Sequence, residues 1–160
     1  MHVRMGIGYD LHRLAVERTL MLGGVKIPSE RGLVGHSDAD AVLHALCDAI
    51  LGAAGQPDIG ELFRDDDPRW EGADSRTFVQ EALRRTRAAG YKVGNADIVI
   101  HAEQPRLGPH KQHIREAIAG LLDVSPEQVG IKATGNEGLG EIGRGEAIAC
   151  WASVVLVPSQ

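Results

Sequence analysis

The run at residues 147–157 constrains the fold more than any other stretch of the chain. Its side chains are apolar on both alternating sets of positions, with Ser153 as the polar exception. A strand with one solvated face alternates apolar and polar residues, so this run predicts a strand in the middle of a sheet. Aromatic residues make up only 4% of the chain. The core around this strand must therefore consist mainly of Leu, Ile, Val and Ala.

Strand and helix signals alternate along the rest of the chain. Strands are predicted at residues 3–11, 19–22, 25–28, 93–103 and 129–134, and a Gly23-Gly24 turn would return the second and third beside the first. Helices are predicted after residue 35, from Asp74 or Ser75 to Gly90, and at 111–122, with a short capped turn at 125–128. A chain of 160 residues in this order predicts a single α/β domain.

Residues 35–48 place ionisable side chains at the start of an amphipathic helix. Asp40, His44 and Asp48 recur every four residues and share one face. Ser37 or Asp38 is predicted to cap the free N–H groups of the first turn. The opposite face carries Val42, Leu43, Leu46 and Ile50. Capping does not account for the histidines of this segment, although a single helical histidine is more often an ordinary surface or core residue.

A second ionisable pair lies on the first predicted strand. Asp10 and His12 share one face because side chains alternate along a strand, and they stand roughly 7 Å apart along the backbone. Together with His44 they would offer one carboxylate oxygen and two imidazole nitrogens. That is the ligand set of a catalytic zinc that keeps a fourth position open. Spacing along the chain leaves open whether the three side chains meet.

Two loops carry further candidate residues. The segment at 55–73 is rich in Gly, Pro and Asp. Its few apolar anchors favour a partly ordered lid, and a solvated acidic loop is the alternative. The Gly-rich loop after Thr134 would let backbone N–H groups approach an anion, and Glu137 there could hold a second, oxygen-preferring cation. The loop lacks the Lys-Ser/Thr ending of a nucleotide P-loop, so a simple turn remains the alternative.

The overall charge and the cysteines exclude several classes of protein. A net charge of −5 with scattered Lys and Arg argues against a nucleic-acid partner. The widely separated Cys47 and Cys150 indicate reduced thiols rather than a disulfide framework or a thiolate zinc site. No secretory, transit or membrane-spanning segment is recognisable, so we expect a cytoplasmic protein without a membrane partner.

Several motifs in register resemble one enzyme family. They are GIGYDLH at 6–12, GHSDAD at 35–40, LHA at 43–45, DIG at 58–60, DSR at 74–76, KAT at 132–134 and GRGE at 143–146. In this order and at this chain length they are similar to the 2-C-methyl-D-erythritol 2,4-cyclodiphosphate synthases of the non-mevalonate isoprenoid pathway. The resemblance covers nearly the whole chain.

The resemblance implies a fold, an assembly and a reaction. The fold would be α/β with α+β-type layers, in which helices cover one face of a mixed sheet. Three such subunits would form a homotrimer with their sheets facing the trimer axis and an active site at each subunit boundary. The enzyme would be a phosphorus-oxygen lyase that cyclises 4-diphosphocytidyl-2-C-methyl-D-erythritol 2-phosphate, because the substrate's 2-phosphate attacks its own β-phosphate and CMP leaves.

The resemblance also implies roles for individual residues. Asp10, His12 and His44 would bind zinc, and Glu137 would bind Mg²⁺ or Mn²⁺ with the substrate diphosphate. His36 would be catalytic, together with the position of Gly135. Substrate contacts would come from Asp10, His12, His36, Ser37, Asp58, Ile59, Gly60, Phe63, Arg64, Asp65, Asp66, Asp67, Ala102, Pro105, Arg106, Leu107, Gly108, Thr134, Gly135, Asn136, Glu137, Glu141 and Arg144.

Two positions depart from the family pattern. The family usually has a second Thr where this chain has Gly135, so a hydroxyl donor is missing unless a backbone N–H or Asn136 replaces it. Glu141 stands where the family commonly has an apolar aromatic residue near the trimer axis. Arg144 could bind a regulatory phosphate there or pair with Glu141. The rival interpretations are a zinc phosphoesterase that hydrolyses its substrate and a trimeric binding module with structural zinc.

Overall fold

The computed structural model describes residues 2–159. The strands, in chain order, are β1 (Arg4–Val16), β2 (Leu20–Leu22), β3 (Val25–Ile27), β4 (Arg31–Leu33), β5 (Tyr91–His101), β6 (Val129–Thr134) and β7 (Ala147–Pro158). The helices are α1 (Ala41–Ala54), α2 (Ile59–Leu62), α3 (Arg76–Ala88), α4 (Lys111–Leu122) and α5 (Gly140–Gly143). Short 3₁₀ turns lie at Pro68–Trp70, Gly108–His110 and Pro126–Gln128.

A mixed five-stranded sheet forms the centre of the fold, in the order β4-β1-β7-β5-β6. The β7 strand is in the middle and pairs antiparallel with both β1 and β5. Only β6 runs parallel to its neighbour, which is β5. The central position predicted from the doubly apolar run is thus confirmed, as is the α/β class with a mixed sheet and helices.

Helix α1 packs against β1 and β7 and is almost entirely buried. Of its 14 residues, all but His44, Asp48 and Gly52 are buried. Gly6 and Gly8 of β1 face the helix, and a Cβ atom at either position would overlap backbone atoms of α1. The two glycines therefore bring the backbones of strand and helix into direct contact.

The apolar residues in the first part of β1 face away from the helices, whereas Leu14 near its end is buried in the core. Val3, which precedes the strand, and Met5, Ile7, Tyr9 and Leu11 within it are between 38% and 73% exposed in the single subunit. Trp151 of β7 lies on the same side, with its ring centroid 4.6 Å from that of Tyr9. We call these six side chains the open apolar sheet face. Alternation correctly predicted the strand, but it did not reveal which set of residues faces the core.

The β2–β3 hairpin does not pair with β1 as the sequence suggested. It forms its own two-stranded sheet, and β4, which was not predicted, takes the place beside β1. The reason lies at the hairpin turn, where the N–H groups of Gly23 and Gly24 donate to the buried Asp40 carboxylate at 2.9 and 2.7 Å. The hairpin is thereby fixed to the start of α1 instead of the sheet edge.

Helix α1 is capped by Asp40, not by Ser37 or Asp38 as predicted. The Asp40 side chain also accepts the N–H of Leu43 at 3.0 Å, so three backbone donors surround this fully buried carboxylate. Burial raises the pKa of Asp40, while these N–H groups oppose the shift. The two residues predicted as caps are used elsewhere, because Ser37 and Asp38 bind side chains of the functional site.

Most other elements agree with their predictions. The α4 helix and the β6 strand have the predicted bounds, and the predicted capping box is present at Ser125 and Gln128. Cys47 and Cys150 are free and buried. The short α5 helix in the Gly-rich loop was not predicted. In the described part of the chain, no helix combines the length and the apolar character needed to cross a membrane.

Candidate metal centre and substrate pocket

Strand β1 and helix α1 bring three potential metal ligands together. Asp10, His12 and His44 each place one ligand atom so that all three lie within 4.8 Å of one another. The Asp10 Oδ2 atom is 2.7 Å from His12 Nδ1 and 3.4 Å from His44 Nδ1. The direct contact between strand and helix at Gly6 and Gly8 places this helical histidine beside the strand pair. The convergence that sequence spacing left open is thus realised.

The donor atoms of this cluster fit a divalent cation. Asp10 Oδ2 and His12 Nδ1 are buried and 2.7 Å apart, but neither makes a hydrogen bond of good geometry to the other or to any other described group, although buried polar atoms are normally satisfied. A cation between them would satisfy both. One carboxylate and two imidazoles also match the three-ligand sites in which zinc keeps a position open for another group.

Electrostatics at the cluster favour a positive charge. Burial raises the pKa of Asp10, but the interactions with His12 and His44 outweigh it and hold the pKa below its usual value. Burial conversely lowers the pKa of His44, yet the nearby carboxylates, Asp10 foremost, raise it overall. The cluster therefore stabilises a cation at this point, whether a proton on His44 or a metal ion.

The second ring nitrogen of His44 is held by serine hydroxyls. His44 Nε2 lies 2.8 Å from Ser75 Oγ and 3.1 Å from Ser37 Oγ. The Ser75 hydroxyl in turn bonds to Asp38. Sequence analysis had assigned Ser75 only to the start of a helix, and no local pattern indicated its contact with the histidine.

The three ligands open into a cavity of about 250 Å³. Its walls include His36 and Ser37 from the segment before α1, and Ile59, Gly60, Phe63 and Asp65 from the predicted lid. His36 Nε2 lies 3.0 Å from the carbonyl oxygen of Asp67. The structure therefore brings the metal cluster, His36 and part of the lid to one pocket.

The predicted lid is ordered by an aromatic cluster. Phe63 and Trp70 pack against each other and against Phe78 of α3, with ring centroids 4.6–5.8 Å apart. Asp48 of α1 accepts the N–H of Ile59 at 2.8 Å and so fixes the start of α2. Burial raises the pKa of Asp48. This contact ties Asp48 to the lid, a role that its position on the helix face did not indicate.

Other lid residues lie outside this cavity. Asp58 caps α2 and accepts the N–H of Glu61 at 2.9 Å. The Arg64 guanidinium pairs with Asp66 at 2.7 Å, and both side chains are largely exposed. Asp67 pairs with Arg69, which lowers the pKa of Asp67 to about 2.

A second, more open cavity of about 520 Å³ lies at the C-terminal ends of β5 and β6. Predicted substrate residues Ala102, Arg106, Leu107, Gly108, Thr134 and Gly135 line it. Pro105 instead lines a neighbouring cavity with Leu14 and Arg31. The two main cavities share no lining residue within one chain.

Glu103 is a residue of the second cavity that sequence reasoning did not single out. Its Oε2 atom accepts the N–H of Asn136 at 2.8 Å and would lie 3.1 Å from a Cβ atom at Gly135. The absence of a side chain at Gly135 thus gives the Glu103 carboxylate room to hold the following loop. No local sequence signal connects positions so far apart in the chain.

The remaining predicted residues lie on the exposed Gly-rich loop. Glu137 has a positive φ of 53° and is exposed, away from the cavity linings. Arg144 pairs with Glu146 at 2.8 Å, rather than with Glu141. The structure of the chain therefore does not bring Glu137 to the Asp10, His12 and His44 cluster.

A family comparison covers nearly the whole chain. The YgbB family matches residues 3–157. The chain belongs to the YgbB family. Among its YgbB relatives, a 2-C-methyl-D-erythritol 2,4-cyclodiphosphate synthase from a Nostoc species is 49% identical over 99% of this chain and 96% of the relative. One from Moorella thermoacetica is 52% identical over 97% of this chain and 95% of the relative. The resemblance drawn from the motifs is confirmed, and it identifies the chain as a member of an enzyme family.

Solved structures of YgbB relatives have the same fold. The IspF of Plasmodium falciparum in complex with CDP superimposes with a TM-score of 0.87 at 36% identity, covering 99% of this chain and 97% of that chain. A 2C-methyl-D-erythritol-2,4-cyclodiphosphate synthase in its CDP-bound form gives a TM-score of 0.89 at 40% identity, covering 96% and 100%. Both relatives bind a cytidine nucleotide.

Proposed function

We propose that this YgbB-family enzyme converts 4-diphosphocytidyl-2-C-methyl-D-erythritol 2-phosphate to 2-C-methyl-D-erythritol 2,4-cyclodiphosphate and CMP. The observation that carries the proposal is the Asp10, His12 and His44 cluster, which opens into a pocket in a chain whose relatives bear that enzyme name. The reaction would be a lyase-type cyclisation that supplies isoprenoid precursors in the cytoplasm.

The residues of the pocket suit an intramolecular phosphoryl transfer. The attacking group is the substrate's own phosphate, which is anionic at neutral pH, so the protein must position and neutralise charge rather than remove a proton. Asp10, His12 and His44 would hold zinc, which supplies positive charge beside the phosphates. His36 lines the same cavity and would donate from its ring to phosphate oxygen, while Ser37 would bind the phosphate and the methylerythritol.

The lid would close over the substrate. Asp58, Ile59 and Gly60 would contact the methylerythritol hydroxyl groups, and residues 63–67 would exclude water from the reacting phosphates. The support for this role is that Ile59, Gly60, Phe63 and Asp65 already line the metal cavity.

The second cavity would bind the cytosine end of the substrate. Ala102, Pro105, Arg106, Leu107 and Gly108 would form the base site together with Thr134. Gly135 and Asn136 would offer backbone and amide donors to the diphosphate, and Glu137 would hold Mg²⁺ or Mn²⁺ there. The CDP bound in related structures supports a cytidine site in this chain.

A homotrimer would complete each active site. The two cavities share no residue within one chain, so the metal pocket of one subunit would meet the base pocket of its neighbour. The open apolar sheet face would be buried around the trimer axis, because contiguous apolar surface of this kind marks protein interfaces. Glu141 and Arg144 would lie near that axis and contact a ligand there.

The reaction products distinguish the proposed function from its rivals. The purified protein is incubated with the cytidylyl phosphate substrate, Zn²⁺ and Mg²⁺, and the products are followed by phosphorus NMR. We expect a cyclic diphosphate and stoichiometric CMP, both abolished by a chelator. Linear phosphates would instead indicate a hydrolytic phosphoesterase. The absence of CMP under every metal condition would indicate a binding module with structural zinc.

The ligand assignment has its own test in His44→Ala. This variant should lose bound zinc, measured by elemental analysis, because one of three protein ligands is removed. The oligomeric mass should stay unchanged, since His44 lies on the α1 side of β1, opposite the open apolar sheet face. His113→Ala, at an exposed position of α4, is the matched control. Unchanged zinc content in His44→Ala would refute the assignment.

A further inference from the structure

Ser75 begins helix α3, but its hydroxyl group does not cap the helix. The residue is fully buried, and its side chain accepts no N–H from the first turn. Asp74 performs that task, because its Oδ1 atom accepts the N–H of Arg76 at 2.9 Å. The Ser75 hydroxyl group lies 2.8 Å from His44 Nε2 instead. A residue of the type that caps helices is thus directed at a candidate metal ligand.

Asp38 sets the direction of the hydrogen bonds at Ser75. Its Oδ2 atom accepts the Ser75 N–H at 3.1 Å, and its Oδ1 atom accepts the Ser75 hydroxyl. A carboxylate donates no hydrogen bond, so the hydroxyl proton of Ser75 points at Asp38 and its oxygen lone pairs remain for His44. His44 Nε2 must then be the donor, which leaves Nδ1, 3.4 Å from Asp10 Oδ2, as the nitrogen that can bind a metal ion.

Ser37 is the weaker of the two hydroxyl partners of His44. Its oxygen lies 3.1 Å from Nε2 and already accepts the N–H of Ala39 at 3.2 Å. Ser37 also lines the substrate cavity, where a bound molecule can compete for its hydroxyl group. Ser75 is fully buried, lines neither of the two main cavities and has its geometry fixed from two sides by Asp38.

We infer that Ser75, held by Asp38, is a positioning residue that keeps Nε2–H of His44 paired and so presents Nδ1 to the metal. The inference rests on the proposed metal site. It follows from hydrogen-bond geometry, because the partner of one imidazole nitrogen determines which nitrogen remains free to bind a cation. Phe78 packs against the His44 ring at a centroid distance of 5.9 Å and helps to limit its rotation.

Asp38→Asn tests the direction of the hydrogen bonds without changing the size of the side chain. An asparagine has one oxygen in place of two. With that oxygen on the Ser75 N–H, its amide group would donate to the Ser75 oxygen and would also face the Asp40 N–H that Asp38 Oδ1 accepts at 3.1 Å. The Ser75 proton would then turn toward His44 Nε2 and oppose the tautomer that binds metal. We expect the dissociation constant for Zn²⁺ alone, measured against a chromophoric chelator, to rise 10- to 100-fold.

Ser75→Ala and the double variant complete the test. The single variant should weaken zinc binding to a similar extent, and adding Asp38→Asn should cause little further loss, because Asp38 acts on His44 through Ser75. Asp74→Asn and Thr86→Val are the controls, since they alter another carboxylate and another buried hydroxyl of the same segment. Both should bind zinc within twofold of the wild type.

A spectroscopic measurement separates positioning from general destabilisation. In the zinc-loaded wild type, nitrogen-15 NMR should show His44 bound through Nδ1 with a slowly exchanging Nε2 proton. Ser75→Ala should lose the slow exchange even when its thermal unfolding matches that of the wild type. If Asp38→Asn and Ser75→Ala both bind zinc within twofold of the wild type, the inference about Ser75 is overturned, but the proposed metal site is not. A wild type that binds no zinc would overturn the proposed metal site as well.

Discussion

Gly8 shows how a residue without a side chain can set the geometry of a neighbouring site. It lies on β1 with α1 directly above it, and a Cβ atom there would overlap the carbonyl oxygen of Ala45. The neighbouring residue His44 is the helical member of the metal cluster, and Asp10 follows Gly8 by two positions on the same strand face. The separation of strand and helix therefore determines whether the three ligands can share one ion. The sequence showed two glycines on the polar side of a strand, but not that a helix would rest on them.

Gly8→Ala should destabilise the fold by about 3 kcal/mol, because the helix must move away from the sheet to admit the methyl group. The free energy of unfolding in urea is the measurement. Gly52→Ala is the control within α1, because its nearest neighbouring atom lies 4.0 Å away. That control should be about 0.5–1 kcal/mol more stable than the wild type, since alanine favours a helix. Equal urea midpoints for Gly8→Ala and Gly52→Ala would contradict the direct contact between β1 and α1.

At the scale of elements, local patterns predict long segments well and short ones poorly. The α4 helix has its own apolar periodicity, and the capping box from Ser125 to Gln128 marks the turn before β6. The helix, the turn and the strand were therefore all predicted from the sequence. Strand β4 and helix α5 have only three and four residues, too few for a periodicity to be seen. The position of the β2–β3 hairpin depends on Asp40, a contact between distant parts of the chain that no local pattern reports.

Glu81 of helix α3 pairs with two arginines, and its contribution to the stability of the fold should depend on pH in a predictable way. The hydrogen bond from Arg84, assisted by that from Arg85, outweighs the opposing effect of burial and lowers the pKa of Glu81 to about 2. A carboxyl group whose pKa is 4.5 when unfolded then stabilises the fold above pH 4.5 and loses this contribution as the pH falls toward 2.

Glu81→Gln should therefore reduce the free energy of unfolding by only about 0.5 kcal/mol at pH 7, because solvent screens this surface group. The difference from the wild type should shrink below pH 4.5 and disappear near pH 2. Denaturant unfolding across this pH range measures it. Glu116→Gln, whose hydrogen-bonded partner is the neutral Gln112, should show no such trend. A difference that grows on acidification would refute the sign of the effect.

At the scale of the whole molecule, the open apolar sheet face is the feature that a single subunit leaves unexplained. Met5 and Ile7 are 73% and 64% exposed, although the sheet beneath them is the centre of the fold. The sequence predicted the strand from this same alternation, but a pattern of period two is identical whether its apolar side faces a core or a partner subunit. Only the position of α1 shows which side remains open.

Ile7→Lys should dissociate the proposed trimer, because three lysine charges would meet near the axis. Light scattering should then give the 17.1 kDa mass of one chain in place of three times that value. Gln112→Lys, which adds the same charge at an exposed position of α4, should leave the mass unchanged. An Ile7→Lys protein of wild-type mass would place the subunit interface elsewhere.

The division of the candidate metal ligands between β1 and α1 also has a consequence for experiments with a chelator. Asp10 and His12 precede β2, β3 and β4, and His44 follows them, so a bound ion would act as a reversible cross-link across the first third of the chain. An ion that binds only the folded chain adds about 4 kcal/mol to the free energy of unfolding when its free concentration is a thousand times its dissociation constant. A chelator would therefore lower the melting temperature as well as the activity, and unfolding must be followed in the same sample before lost turnover is assigned to chemistry.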